Sequence, residues 1–246
     1  MTNANMVFDR FKSLAEVPDQ SLSRNSTRHR RPEATEQTYT DQRHQMVQRQ
    51  VVARGVTDDA VLQALETVPR HRFVAANLTH LAYRDAPLPT SHGQTISQPY
   101  VVAFMTAAAG LSPQSRVLEV GTGSGYQTAV LAELAAEVYS VELLPDLAQQ
   151  AQATLAQLDY GNVHVKQGNG YEGWADYAPY DAIVVTAAPT RIPAALVDQL
   201  ALGGRLVVPV GYSSQTLLVV TKRATGLATE YTIPVRFVPM VGEGEK

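Results

Sequence analysis

The feature that most constrains the fold is a glycine-rich turn between an apolar run and a helical pattern. Residues 117–120 are strand-like, and a helical pattern begins at Tyr126. Three glycines alternate between them: Gly121, Gly123 and Gly125. Glycine accepts positive φ and leaves no side chain between backbone and ligand, and the next helix offers free N–H groups. Strand, glycine turn and helix predict the first unit of a doubly wound α/β sheet, which binds ligands at its strand ends.

The remaining chain continues the alternation of strands and helices. Further strands are predicted at Val138–Glu142, Val163–Gln167, Tyr180–Thr186, Arg205–Val210, Thr216–Lys222 and Thr229–Val238. Helices are predicted at Tyr100–Ala109, Pro145–Leu158 and Ile192–Leu202. The predicted fold is α/β, with a Rossmann-like, mainly parallel seven-stranded sheet, an antiparallel edge and an N-terminal helical extension.

The chain of 246 residues has room for one large α/β domain. Residues 1–40 are polar and poorly patterned, with a Ser/Arg-rich run at 21–32, and are predicted to be a mobile extension. Residues 41–246 are predicted to form a single domain. Its part 41–110 is helical and carries a polar loop, and 111–246 is the Rossmann-like core.

Charge and composition exclude several classes of protein. The net charge of −3 gives no basic surplus for a nucleic-acid backbone. The absence of cysteine excludes disulfides and thiolate metal sites. No apolar run has the length of about 18–20 residues that a membrane span needs. We expect a cytoplasmic monomer with no nucleic-acid or membrane partner.

The spacing of the glycines discriminates between cofactors. A dinucleotide fingerprint places its third glycine where Tyr126 stands. Glu119, inside the strand, would repel a diphosphate. It suits S-adenosylmethionine, which carries a sulfonium and an ammonium and no phosphate. Glu142, at the end of the next strand, can accept ribose hydroxyls, and the Asn169 amide can recognise an adenine amino group.

Several segments carry a resemblance to known families. The motif at 119–125 resembles the first motif of class I S-adenosylmethionine-dependent methyltransferases. Other segments are similar to those of protein-L-isoaspartate O-methyltransferases: Val68–Val74, Gly93–Tyr100, Ala178–Ala188, Pro209–Gly211 and Val235–Pro239. The resemblance covers residue 41 to the end of the chain.

The resemblance implies a set of site residues. The cofactor residues would be Thr95, Glu119, Gly121, Gly123, Ser124, Gly125, Glu142, Leu143, Asn169, Gly170 and Gln215. Ser97 would be the active-site serine, whereas its position alone also allows an N-cap of the next helix. The segment 235–239 would lie against a bound peptide. No metal is implied. The family usually has aspartate where Asn169 stands, which bears on the strength of adenine binding.

The implied reaction is methyl transfer from S-adenosylmethionine to the free α-carboxylate of L-isoaspartyl residues in proteins and peptides, which leaves S-adenosylhomocysteine. A carboxylate is already ionised near pH 7, so no general base is needed. The ester would close to a succinimide whose hydrolysis returns some normal aspartate. His71 is expected to be structural. The alternatives are a class I methyltransferase with another acceptor, an NAD-binding protein, or a diverged non-catalytic S-adenosylmethionine-binding protein.

Overall fold

The computed structural model describes residues 35–242, which fall in one compact unit. The Ser/Arg-rich run at 21–32 lies outside the described residues. The first part of the described chain is helical. In chain order it contains α1 (Glu36–Met46), a π-helical turn (Val47–Val51), a 3₁₀ turn (Val52–Arg54), α2 (Asp59–Thr67), two more 3₁₀ turns (Arg70–Phe73 and Ala76–Leu81), β1 (Leu88–Pro89), a 3₁₀ turn (Ser91–Gly93), β2 (Thr95–Ile96) and α3 (Pro99–Ala109). β1 and β2 pair as a hairpin. The predicted domain boundary after residue 40 falls inside α1.

The second part alternates strands and helices. Its elements are β3 (Arg116–Val120), α4 (Tyr126–Ala132), β4 (Glu137–Glu142), α5 (Pro145–Gln157), β5 (Val163–Gln167), β6 (Tyr180–Val185), α6 (Ala194–Asp198), β7 (Leu200–Gly211), β8 (Gln215–Arg223) and β9 (Gly226–Val235). Two 3₁₀ turns, Gly170–Glu172 and Ala175–Tyr177, lie between β5 and β6.

The strands of this part form one seven-stranded sheet in the order β5-β4-β3-β6-β7-β8-β9. Neighbouring strands are parallel from β5 to β7, and β8 is antiparallel to both of its neighbours. Among residues 35–242, β9 pairs with β8 and with no other strand. The predicted Rossmann-like fold with an antiparallel edge is therefore confirmed. In the same residues, no helix has the length and apolar character that crossing a membrane requires.

The centre of the sheet is buried on both faces, as covered parallel strands are. Leu118 and Val120 of β3 point into one core. Val117 points into the other, against Met105 of α3 and Leu131 of α4. Because α3 and α4 pack on that second face, the turn between β3 and α4 is held at the carboxyl edge of the sheet.

Three predicted elements are wrong in their bounds. The strand predicted at Arg205–Val210 is Leu200–Gly211, and the strand predicted at Thr229–Val238 is Gly226–Val235. The helix predicted at Ile192–Leu202 is only Ala194–Asp198, and β7 already begins at Leu200, which pairs with Tyr180. Lys222 of β8 donates to the carbonyl oxygens at the end of this helix, including that of Asp198 at 3.1 Å. The helix therefore ends through contacts with a distant strand, which the local pattern does not contain.

Candidate active site

A cavity of about 730 Å³ lies at the carboxyl ends of β3, β4 and β6. Many residues predicted for the site line it: Thr95, Ser97, Gly121, Gly123, Ser124, Glu142, Leu143 and Gly170. Four other predicted residues do not: Glu119, Gly125, Asn169 and Gln215. The glycine turn and the loop that carries Ser97 thus face one shared space, although they lie far apart in the sequence.

The backbone of the turn requires glycine at two positions for different reasons. Gly121 has φ +97°, and a Cβ there would press into the Thr186 hydroxyl. That hydroxyl shares its one proton between the carbonyl oxygens of Val120 at 3.1 Å and Gly121 at 2.5 Å, so it fixes the first half of the turn. Gly125 has φ +86°, and a Cβ there would lie 3.3 Å from Leu155 of α5. Glycine at position 125 therefore allows α5 to pack closely behind the turn.

The Glu142 carboxylate is held in place by two main-chain donors. Its Oε2 accepts from the Gly123 N–H at 2.8 Å, and its Oε1 accepts from the Leu144 N–H at 3.0 Å. The side chain is mostly buried, yet it lines the cavity. Each carboxylate oxygen can accept more than one hydrogen bond. The group is thus oriented in advance and can still accept the hydroxyls of a ligand.

Glu119 lies fully buried beneath the turn. Its Oε2 accepts from the hydroxyls of Thr128 at 2.5 Å and Ser140 at 2.6 Å. Burial raises the pKa of the Glu119 carboxyl to about 8, against the lowering effect of these two hydrogen bonds. The carboxyl is therefore mostly protonated at pH 7, and it supports the turn from below.

The side chains of Asn169 and Gln215 form hydrogen bonds with nearby groups of the protein. Asn169 Oδ1 accepts from the Tyr171 N–H at 3.1 Å and caps the short turn that follows. Gln215 accepts from the Phe237 N–H at 2.6 Å and donates to the Phe237 carbonyl at 3.0 Å. Phe237 lines the cavity, as does the whole predicted peptide segment 235–239. The structure thus gives Gln215 a partner in the cavity wall.

Ser97 lies between β2 and α3, and its N-cap alternative does not hold. The N-cap of α3 is Gln98, and no side chain caps that helix. Within residues 35–242 the Ser97 hydroxyl makes no hydrogen bond, and the residue lines the cavity. The hydroxyl is therefore available to a ligand.

His71 has a structural role, as predicted. It is buried, its ring stacks on Tyr39 with 4.0 Å between centroids, and Nδ1 lies 2.8 Å from the Tyr83 hydroxyl. Burial is the largest cause that lowers its pKa, with Glu36 acting in the opposite direction. This contact network anchors α1 to the loop that follows α2.

The sequence reasoning missed several wall residues, among them Arg54, His92, Gln127 and Thr186. Thr186 directly follows β6, so the rule that ligands bind at strand ends could have found it. His92, in the hairpin turn, lies 3.4 Å from Asp146 at the start of α5, so the hairpin meets the far side of the cavity. No local signal marks Arg54 or Gln127.

The donor set of the wall fits a phosphate-free nucleoside with a positive centre. The turn and the end of β4 offer the Glu142 carboxylate and no cationic side chain, whereas the two arginines that line the cavity in the described part of the chain, Arg54 and Arg236, come from the helical part and from the segment 235–239. In residues 35–242 no three potential ligands come together to hold a metal ion. A doubly wound sheet with this acceptor, and with the third turn glycine at Gly125 and not at position 126, fits the class of S-adenosylmethionine-dependent methyltransferases better than that of dinucleotide-binding proteins.

Comparison with known proteins narrows the class. The family model for protein-L-isoaspartate(D-aspartate) O-methyltransferase matches residues 41–245, and the chain belongs to this family. A Synechococcus sp. protein-L-isoaspartate O-methyltransferase is 58% identical over 218 residues, with 85% of this chain and 89% of that protein covered. The corresponding protein of Gloeobacter violaceus is 56% identical over 200 residues, which cover 80% of this chain and 98% of that protein.

Solved structures agree with this assignment. A protein-L-isoaspartate O-methyltransferase structure superposes with a TM-score of 0.75 at 28% identity, covering 82% of this chain and 66% of that chain. A Plasmodium falciparum protein described as a protein-L-isoaspartate O-methyltransferase, in complex with S-adenosyl-L-homocysteine, gives a TM-score of 0.71 at 27% identity. That match covers 81% of this chain and 98% of the other.

Proposed function

We propose that this chain transfers the methyl group of S-adenosylmethionine to the free α-carboxylate of L-isoaspartyl residues in damaged proteins and peptides, and so starts their repair through a succinimide. The observation that carries the proposal is the shared cavity. It joins the glycine turn to the Ser97 loop in a chain that matches the protein-L-isoaspartate(D-aspartate) O-methyltransferase family over residues 41–245.

The bound S-adenosylmethionine supplies an electrophilic methyl group on a positive sulfur. The residues of this chain position the two reactants and exclude water from them. The Glu142 carboxylate would accept the ribose hydroxyls, and the turn at 121–124 would lie along the methionyl end. Gly170 would lie beside the adenine. The family resemblance implies these assignments, and the position of each of these residues in the cavity wall supports them.

The acceptor side needs no general base, because the substrate carboxylate is ionised near pH 7. Ser97 would donate its hydroxyl hydrogen to that carboxylate and orient one oxygen toward the methyl group. Thr95 lines the wall beside it, and the segment 235–239 forms part of the same cavity. The peptide would therefore lie between the hairpin and this segment.

The direct test compares two peptides that differ only in isoaspartate against normal aspartate at one position. With labelled S-adenosylmethionine, we expect enzyme-dependent release of labelled methanol after alkaline hydrolysis from the isoaspartyl peptide alone. Equal labelling of the aspartyl peptide would refute the proposed acceptor. Binding of S-adenosylhomocysteine without any turnover would instead favour a non-catalytic binding protein.

The role of Ser97 has its own test. Ser97→Ala should lower kcat by roughly 10- to 100-fold, the worth of one hydrogen bond to a charged group, while the Kd for S-adenosylhomocysteine stays unchanged. Ser91→Ala is the matched control, because Ser91 is exposed in the hairpin that precedes Ser97 and does not line the cavity. A fully active Ser97→Ala enzyme would remove the serine from the mechanism.

We further propose a cytoplasmic monomer without a nucleic-acid or membrane partner. The net charge of −3 and the cysteine-free sequence support it. Residues 41–246 would form one methyltransferase domain, with residues 1–40 as an extension. Light scattering of the purified chain, with and without added RNA, tests the monomer and the missing nucleic-acid partner together.

A further inference from the structure

The side-chain amide of Gln127 connects two helices at the cavity wall. Gln127 is the second residue of α4, it is 7% exposed, and it lines the cavity. Its Nε2 donates to the Thr106 hydroxyl oxygen at 2.9 Å. Thr106 lies on α3, the helix that follows Ser97.

The hydrogen bonds of Thr106 determine which way the amide points. The Thr106 hydroxyl donates its one proton to the Val102 carbonyl at 2.8 Å. Toward Gln127 it can therefore only accept, and an amide oxygen cannot donate. The NH₂ group must face Thr106, so the amide oxygen Oε1 is turned away from it.

The amide oxygen is left open to the cavity. Within residues 35–242 the Gln127 Oε1 accepts no hydrogen bond, and it is not among the fully enclosed polar atoms without a partner. Gln127 is only 7% exposed and lines the cavity, so the cavity is the open space next to this amide. A fixed, neutral acceptor on a concave wall selects for a hydrogen-bond donor.

The position of Gln127 tells which end of a ligand it meets. Glu142 and Gly170 follow β4 and β5, on one side of β3. Gln127 itself is on α4, which packs on β4 and β5, and its hydrogen bond to Thr106 holds the amide against α3, the helix that begins just after Ser97. In the proposed function the sulfur lies between the ribose at Glu142 and the acceptor at Ser97, so the methionyl chain on that sulfur passes the start of α4, where Gln127 lies.

We propose that Gln127 Oε1 accepts a hydrogen bond from the α-ammonium of the methionyl chain of S-adenosylmethionine, and that Thr106 is the positioning residue that aims it. The ammonium is a charged donor, whereas the carboxylate of the same chain would be repelled by an amide oxygen. This inference deepens the proposed function and rests on it.

The test measures binding by calorimetry with two ligands. S-adenosylhomocysteine has the amino-acid chain, and 5′-methylthioadenosine keeps the nucleoside and sulfur but lacks that chain. Gln127→Leu should raise the Kd for S-adenosylhomocysteine by roughly 10- to 100-fold, as expected for a lost hydrogen bond to a charged group. The Kd for 5′-methylthioadenosine should stay unchanged. The control is Gln149→Leu, because Gln149 is exposed on α5.

Variants of Thr106 separate positioning from simple packing. Thr106→Val removes the acceptor of the Gln127 NH₂, so the amide can turn, and S-adenosylhomocysteine should bind more weakly. Thr106→Ser keeps the hydroxyl and should restore the affinity. Thermal melting of each variant confirms that the fold is retained, and Gln127→Met provides a second apolar variant if the leucine variant melts early.

Two results would overturn the inference. One is equal weakening of both ligands by Gln127→Leu, which would place the contact on the nucleoside. The other is unchanged binding of S-adenosylhomocysteine. If the wild-type chain bound neither ligand, the proposed cofactor itself would be refuted.

Discussion

The Arg70 guanidinium donates a hydrogen bond to the main-chain carbonyl of Ser97, with 2.8 Å between Nη2 and the oxygen. Its Nε donates to the Ala82 carbonyl at 2.8 Å, and the group lies 4.7 Å from the centre of the Tyr126 ring. Arg70 is fully buried, and burial lowers its pKa to about 10. It stays protonated at pH 7 and links the Ser97 loop to the helix that follows the glycine turn.

Arg70→Met should destabilise the protein. Two carbonyl oxygens lose their donor, and each unpaired buried polar group costs about 1–3 kcal/mol, so we expect a loss of roughly 2–5 kcal/mol in the free energy of unfolding. Urea denaturation measures it. Arg72→Met is the control, since Arg72 is exposed in the same 3₁₀ turn and should change stability by less than about 0.5 kcal/mol. Equal stability of both variants would show that the Arg70 contacts contribute nothing.

Glu119 should make stability fall as pH rises. Its pKa is about 8 in the folded chain against the ordinary value of 4.5, so the folded state keeps a proton that the unfolded state releases. The stabilisation is complete below the lower value and is lost as pH rises through the higher one, with a slope of at most about 1.4 kcal/mol per pH unit. Glu119→Gln cannot ionise and should flatten this part of the profile. Urea unfolding of both proteins between pH 4.5 and pH 8 measures this. If the free energy of unfolding fell with pH as steeply in Glu119→Gln as in the wild type, the assignment would be contradicted.

Glu142→Gln should weaken cofactor binding and loosen the turn. An amide places an NH₂ group against one of the two main-chain N–H donors, Gly123 or Leu144, and removes the charge. We expect the Kd for S-adenosylhomocysteine to rise by roughly 10- to 100-fold, the worth of one charged hydrogen bond. The matched control is Glu137→Gln on the same strand, because Glu137 accepts from His164 and does not line the cavity. Similar Kd values for the two variants would argue against the ribose contact.

Gln215→Leu should affect the peptide and not the cofactor. The variant loses both hydrogen bonds to Phe237, so the wall segment 235–239 loses its tether to β8. We expect a higher KM for the isoaspartyl peptide with an unchanged Kd for S-adenosylhomocysteine. The reverse result would be a higher Kd for S-adenosylhomocysteine with an unchanged KM for the peptide. It would instead support the direct cofactor contact that the family resemblance implies.

The fold could be predicted from the sequence wherever an element depends on its own pattern. The strand at Val163–Gln167 has the predicted bounds, and α5 differs by one residue at its end. The short α6 could not be predicted, because its end is set by Lys222 and by the pairing of Leu200 with Tyr180. These contacts join residues that are distant in the sequence.

For the site as well, some residues could be predicted from the sequence and others depend on contacts between distant parts of the chain. The strand-end rule leads to Glu142, and the family motif leads to Ser97, and both line the cavity. The partners of Asn169 and Gln215 could not be predicted, since an amide can bind any nearby backbone group and only the folded chain decides which. The orientation of Gln127 is the hardest to predict from the sequence, because the direction of its amide oxygen depends on a hydroxyl of another helix.

Within residues 35–242 one edge of β9 has no partner strand, which has a consequence for an enzyme that handles damaged chains. Partly unfolded proteins expose strands, and an open edge can capture them by backbone pairing. Pro234 in β9 has no N–H to offer, and the pairing of β8 with β9 shifts register between Thr216 and Leu218. Glu230 adds an exposed charge to the same strand. Proline, charge and irregular pairing are features that protect an edge against aggregation, so the sheet end is shielded from the molecules that the cavity serves.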